Sequence, residues 1–209
     1  MNTSGSNDPR RGRHEHDRGS PLIAIVGAGS HGRGLAAIAR AAGEPVEFYD
    51  DHVNGVLPVD SVHGRYVIGI NDPNARHALW ARIVRNDRTP GTLIHPTAVL
   101  ATGALNPGCV LAALSVVNVD VTLGAHTHVN VGATISQGTV IGEFVTISPG
   151  AHICGQVHIG DRVNIGAGAV IKHLVTIGDD VTIGCGTVVI NNIPAGMTVA
   201  GVPARELVK

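Results

Sequence analysis

"VNVGATISQGTVIGEFVTISPGAHICGQVHIG", residues 129–160, places Val129, Ile135, Ile141, Ile147, Ile153 and Ile159 six residues apart. The series reaches back through Leu123, Val117, Leu111, Leu105 and Val99 to Leu93, and forward through Ile165, Ile171, Ile177 and Ile183 to Val189. Four residues after the large aliphatic comes a compact one, among them Ala133, Thr139, Val145, Ala151, Val157, Val163, Ala169, Val175 and Val181. An amphipathic helix repeats every 3.6 residues, so a period of six rejects it. The pattern is that of a hexapeptide parallel β-helix. Each hexapeptide supplies one short strand and one turn, and three of them close a triangular coil. The large residue fills the interior and the compact one fits near the corner. Gly142, Gly160, Gly166, Gly178 and Gly184 directly follow the large residue, and we read them as serving the dihedrals of tight corners. Before about residue 111, Ile94 and Leu100 offer a competing register.

Composition agrees with a core of small branched side chains, since aromatic residues are only 2% of the 209. A formal net charge of -1 gives no basic field to hold nucleic acid or an anionic membrane. No apolar run approaches the roughly 18 residues of a membrane span, and the N-terminus lacks the apolar core of a signal peptide. Cys109, Cys154 and Cys185 have no metal-binding spacing and read as reduced thiols of a cytoplasmic protein. No metal is expected.

Residues 1–20 hold no aliphatic residue besides Met1, and we expect a disordered tail. Residues 21–92 read as an α/β lobe with a linker, and residues 93–209 as the β-helix with a C-terminal cap. In the lobe, 22–26, 46–51 and 66–70 read as strands, and 34–43 and 72–84 as helices. "GAGSHG" (27–32) satisfies GxGxxG between a strand and a helix, and Asp50 and Asp51 close the next strand. Alone, this points to a dinucleotide. About sixty residues of lobe leave no room for the second half of a dinucleotide fold, so a mononucleotide suits it better, its phosphate held at the helix start.

"VGAGSHGRG", "FYDD", "IHPTAV", the repeat and the closing "IPAGMTVAGVPAR" occur in this order. From about residue 22 to 209 the chain resembles the bacterial sugar acyltransferases of the bacillosamine and sialic-acid type. The resemblance implies a left-handed β-helix and a homotrimer with active sites between neighbouring prisms. It also implies acetyl-CoA as acyl donor and a nucleotide-linked amino sugar as acceptor. Gly27, Gly29, His31, Gly32 and Asp51, with Asp50 beside it, fall on nucleotide-sugar positions. Asn130 matches a sugar contact, and Gly155 a backbone N–H facing the thioester carbonyl. Thr146, Gly155, Ala167 and Cys185 match positions around the CoA donor.

The chain departs from the family where the proton must go. Gln137 and Gly138 stand in place of a His-acid pair, and Thr146 in place of a second His. Gln orients an amine or donates to an oxyanion but takes no proton at neutral pH. His152 and His158, at outward positions of their hexads, are candidates for a relocated base. The expected function is N-acylation of a nucleotide-linked amino sugar. The alternatives are O-acetylation of a sugar hydroxyl and a trimeric binding or scaffold protein that has lost turnover. A zinc site of the γ-type carbonic anhydrase kind lacks the required His spacing.

Overall fold

A computed structural model describes residues 22–84, 87–101 and 103–207, so the expected disordered tail lies outside the described residues. The chain opens with a parallel sheet of β1 (Ile23–Val26), β2 (Val46–Tyr49), β3 (Gly64–Ile68) and β4 (Arg88–Pro90), in the order β2-β1-β3-β4. Every residue of β1 is buried, as in a strand covered on both faces. Two helices pack on the sheet, α1 (Ser30–Ala41) and α2 (Pro73–Ile83). Asp72 caps α2 by accepting the Ala75 N–H at 2.8 Å, with Pro73 in the first turn.

Two details differ from expectation. α1 begins at Ser30 rather than Gly34, because the glycine-rich loop itself forms the first turn. There Gly32 lies so close to the strand that a Cβ would overlap the Gly27 carbonyl. β4 falls within the stretch read as linker. Arg-Thr-Pro shows no apolar alternation, and Pro is tolerated because the strand lies at the sheet edge.

Beyond the lobe, strands of two or three residues stack into a five-stranded, a six-stranded and an eight-stranded sheet. Registers such as Thr134↔His152, Val140↔His158 and Thr146↔Asn164 advance by three hexads per coil. The interior aliphatics from Leu111 to Val189 and the compact column from Ala133 to Val181 form one buried cluster. The buried column admits Thr because its hydroxyl reaches a corner carbonyl. Thr127 donates to Gly142 O at 2.9 Å and Thr139 to Cys154 O at 3.1 Å.

The series breaks at one place. Val99 is 52% exposed because its strand ends its sheet and no coil lies beneath it. Leu93, in the same terminal coil, stays buried because it packs with Ile23 and Leu35 of the lobe.

The corner glycines also need correction. The left-handed dihedral falls on the third residue after the interior aliphatic, not the first. Leu114, Asp120, His126, Phe144, Gln156, Arg162, Leu174 and Asp180 adopt it with φ between 54 and 64°, alternating irregularly with glycines such as Gly138. Glycine directly after the aliphatic answers a different demand. A Cβ on Gly142 would lie 2.7 Å from the Gly160 carbonyl carbon, in the corner of the next coil.

The lobe docks on the eight-stranded sheet through Arg76, which is fully buried on α2. Its Nε donates to His126 O at 3.0 Å, and Nη1 to Ile70 O at 2.8 Å and Asn71 O at 3.0 Å. Nη2 donates to Phe144 O at 2.7 Å, Val145 O at 3.1 Å and Thr146 Oγ1 at 3.0 Å. Burial lowers its guanidinium to about 9, against an opposing pull from Asp72, so it stays charged at neutral pH.

Candidate active site

Between α1 and the prism lies a cleft of about 610 Å³, bordered by Ser30, His31, Asn71, His95, Asn130 and Pro149 among others. Its walls come from local rules. α1 has Gly29 at its N-cap with no side-chain cap and no acid in the first turn, so its N-terminal N–H groups face outward unneutralised. Asn130 follows the strand His128–Val129, at the edge where the eight- and six-stranded sheets meet. Its Nδ2 donates to Ile147 O at 2.9 Å, which orients the amide and leaves Oδ1 as an acceptor.

His31 forms the lobe wall of this cleft. Its Nε2 lies 3.1 Å from Nδ1 of His128, and the two rings stack with centroids 5.3 Å apart. Burial, with the nearby Arg76 charge, lowers His31 to about 4 and holds His128 well below the usual imidazole range. His126 is lowered to about 4 for the same two reasons. All three are neutral at physiological pH. His126, His128 and His173 lie in the repeat with His152 and His158, and nothing in the hexad pattern separates His128 from the outward His152 and His158.

A second cavity, of about 160 Å³, lies across the glycine loop and is lined by Gly27, Asp50, Asp51, His52 and Arg82 among others. The predicted nucleotide-site residues therefore divide between two cavities, with His31 in one and Gly27, Asp50 and Asp51 in the other. Asp50 accepts the Ala28 N–H and the His52 N–H, each at 2.8 Å, and so ties the glycine loop to the end of β2. Asp51 accepts the Val59 N–H at 2.9 Å and pairs with Arg82 at 2.6 Å, and these contacts hold its carboxyl below the ordinary range.

The predicted transfer residues also separate. Gln137 and Gly155 stack on the edge between the six- and five-stranded sheets, and a Cβ on Gly155 would lie 3.3 Å from Gln137 Nε2. Among the described residues, the Gly155 N–H has no backbone acceptor. Asn130, Ala167 and Cys185 lie along the edge between the eight- and six-stranded sheets, where Asn130 borders the cleft. His152 and His158 are exposed on the two sheets that flank the Gln137 edge, and His152 Nδ1 is 2.9 Å from Thr134 Oγ1. Thr146, expected around the acyl donor, lines neither of the two cavities. It is fully buried beneath the lobe, where its hydroxyl donates to Asn71 O at 2.6 Å and accepts from Arg76. No group of three or more His, Cys, Asp or Glu suited to a metal ion occurs among the described residues. No helix among them is long and apolar enough to cross a membrane.

The repeat matches the bacterial transferase hexapeptide (six repeats) model over residues 138–173. The acetyltransferase domain of PglB from Neisseria gonorrhoeae, solved with acetyl coenzyme A, is 33% identical. The match covers 90% of this chain and 100% of that one, with a TM-score of 0.83. The chain belongs to the hexapeptide-repeat, left-handed β-helix sugar acyltransferases. A second member of this family, a variant of GDP-perosamine N-acetyltransferase from Caulobacter crescentus solved with CoA and GDP-perosamine, is 27% identical. That match covers 90% of this chain and 98% of that one, with a TM-score of 0.85. WeeI from Acinetobacter baumannii is 28% identical, covering 89% and 99%, with a TM-score of 0.81. Among curated protein sequences, none matches.

Proposed function

We propose that the protein is an acetyl-CoA-dependent N-acyltransferase that acts on a nucleotide-linked amino sugar and works as a homotrimer. The observation that carries this is the division of the family's positions between two prism edges. Gln137 and Gly155 occupy one; Asn130, Ala167 and Cys185 occupy the other, where Asn130 borders the 610 Å³ cleft. A single prism cannot bring its own two edges together. Packing three copies about an axis sets one edge of each against the other edge of its neighbour. The relatives solved with acetyl-CoA, and with CoA and GDP-perosamine, support the two ligand classes.

In this arrangement the lobe holds the nucleotide. The outward N–H groups of α1 suit a phosphate, and the Asp50–Asp51 cavity suits base or ribose. Asn130 Oδ1 accepts from the sugar. The amine lone pair attacks the thioester carbonyl carbon, the C–N bond forms, the C–S bond breaks, and the proton shed by the nitrogen ends on the departing thiolate to give CoASH. Gly155 N–H, free of a backbone acceptor, stabilises the oxyanion. Gln137 orients the amine across the subunit boundary.

Thiol release from acetyl-CoA, measured against a panel of UDP-, GDP- and dTDP-linked amino sugars, tests this reading. The expected result is release with at least one member, from protein that sediments as a trimer. Binding of both ligands with no thiol released would instead establish the scaffold reading. Release with neutral sugars alone would establish O-acetylation. Gln137→His separates two roles for the amide. A tenfold or greater gain means that position wants a base; a loss means the amide orients substrate.

A further inference from the structure

We propose that the His31–His128 pair is the proton acceptor of the transfer, with His31 taking the proton from the substrate nitrogen and His128 holding the His31 ring. This rests on the reading above, in which the cleft receives the amino sugar.

The first support is the place of His128. It stands 1% exposed on the eight-stranded sheet, in register with Val110 and Thr146, so the position demands no imidazole. Placing one there is costly, because its Nε2 is buried without a hydrogen-bond partner among the described residues. A residue kept only for packing would be Val or Thr, as in the adjacent coils. What His128 adds is the 3.1 Å bond from its Nδ1 to His31 Nε2.

The second support is what remains on His31. With Nε2 engaged, the free nitrogen is Nδ1. It has no partner among the described residues and is not among the buried unpaired atoms, and His31 is half-buried in the wall of the cleft that also holds Asn130. When Nδ1 takes a proton, the Nε2–H donates into the His128 lone pair, so a buried neutral ring shares the new charge. The other titratable or charged groups around the pair are Arg76, His126 and, in the cleft, His95. Burial and Arg76 keep His31 neutral at physiological pH and therefore free to accept. Its weak basicity suffices, because an ammonium attached to the tetrahedral carbon is far more acidic than a free one.

The step balances without another reagent. The amine nitrogen bonds to the acyl carbon and its proton passes to His31 Nδ1. Collapse expels CoA thiolate, which takes the same proton from His31. The products are the amide, CoASH and neutral imidazole. Gln137 then has no proton to carry.

The test uses the full chain, acetyl-CoA and a nucleotide-linked amino sugar that the wild-type chain acetylates. His31→Ala is expected to lower kcat about 100-fold. Calorimetric affinity for acetyl-CoA should stay within about threefold, and added imidazole should restore part of the rate at saturating sugar. His128→Val is expected to lower kcat about tenfold at unchanged KM. The double variant should be no slower than His31→Ala, because His128 acts through His31. His31→Gln serves as a second probe if the Ala variant unfolds, and circular dichroism decides that point. A His31 variant that keeps wild-type kcat, or loses only sugar affinity, overturns the proposal and leaves the acyltransferase reading standing. No thiol release from the wild-type chain overturns both.

Discussion

Some residues just before an interior aliphatic meet opposite fates. On the eight-stranded sheet Val110, His128 and Thr146 are buried; on the other two sheets Val140, His152, His158 and Thr176 are exposed. All occupy the same place in the hexad, and the coils impose the same backbone on each. The difference comes from the lobe, which covers one face of the prism and not the others. The repeat thus sets the inward half of each hexad, while docking decides what the outward half does. A His at this position is a solvated side chain on one face and a buried, neutral, hydrogen-bonded one on another.

The comparison breaks most sharply at Arg76. Arg76→Ala removes six hydrogen bonds that cross from α2 to loop and corner acceptors. Cavity formation and orphaned carbonyls together should cost about 5 kcal/mol or more. His152→Ala, at the same hexad position on an open face, should change stability by less than about 0.5 kcal/mol. Trp80, the only tryptophan, packs edge-to-face on Phe144 and reports docking by fluorescence, while far-UV circular dichroism reports the prism. In urea the Arg76→Ala variant should lose the Trp80 signal well before the β signal. Coincident transitions would show that the prism does not fold independently of the lobe.

Acid should open the same interface with a smaller effect. His31 and His126 are lowered from 6.5 to about 4, so between those values the unfolded or undocked chain binds more protons than the docked one. Their stabilisation is complete above pH 6.5 and falls as pH drops toward 4. By pH 5 each should have lost about 2 kcal/mol. His128, shifted in the same direction by burial, adds to the loss. The expected observation is a Trp80 transition between pH 6 and 4 that His126→Phe moves to lower pH. A profile flat over that range would mean that these rings stay hydrated.

Much of the prism is legible in the chain, because period six is written directly in Leu111 through Val189 and burial obeys it. The readable part ends where a residue's environment is not its own coil. Val99 carries the period yet is exposed, since the stack ends there. Leu93 carries it and is buried only because α1 covers it. The candidate site is less legible for the same reason. Motif spacing leads to Asp50 and Asp51, the family resemblance leads to Asn130, and all three line cavities. No spacing pairs His31 with His128, which are 97 residues apart and meet only after docking. Arg76 reads as an ordinary helix-surface charge until the lobe sits down. Thr146 stands where the family resemblance puts a His, and only the docked lobe shows it buried against Arg76 and Asn71.

The smallest expected effect tests the corners, where the three faces are alike. Leu174 holds φ 64°, a left-handed dihedral that costs a branched L-residue about 1 kcal/mol or more. Six residues before it, Gly168 meets the same demand at φ 67° without that penalty. Leu174 is 65% exposed, so Leu174→Gly forfeits little burial, and its N–H keeps the bond to Gly155 O at 3.2 Å. Against the released strain stands glycine's extra unfolded-state entropy, about 0.5–1 kcal/mol. The net gain should be about 0.5 kcal/mol, which raises Tm by about 1–2 °C for a chain this size. The reverse exchange, Gly168→Leu, should lower Tm by a similar amount. If both substitutions lower Tm, the Leu174 side chain makes contacts that an isolated prism does not offer, and the corner of a neighbouring copy is the place to look for them.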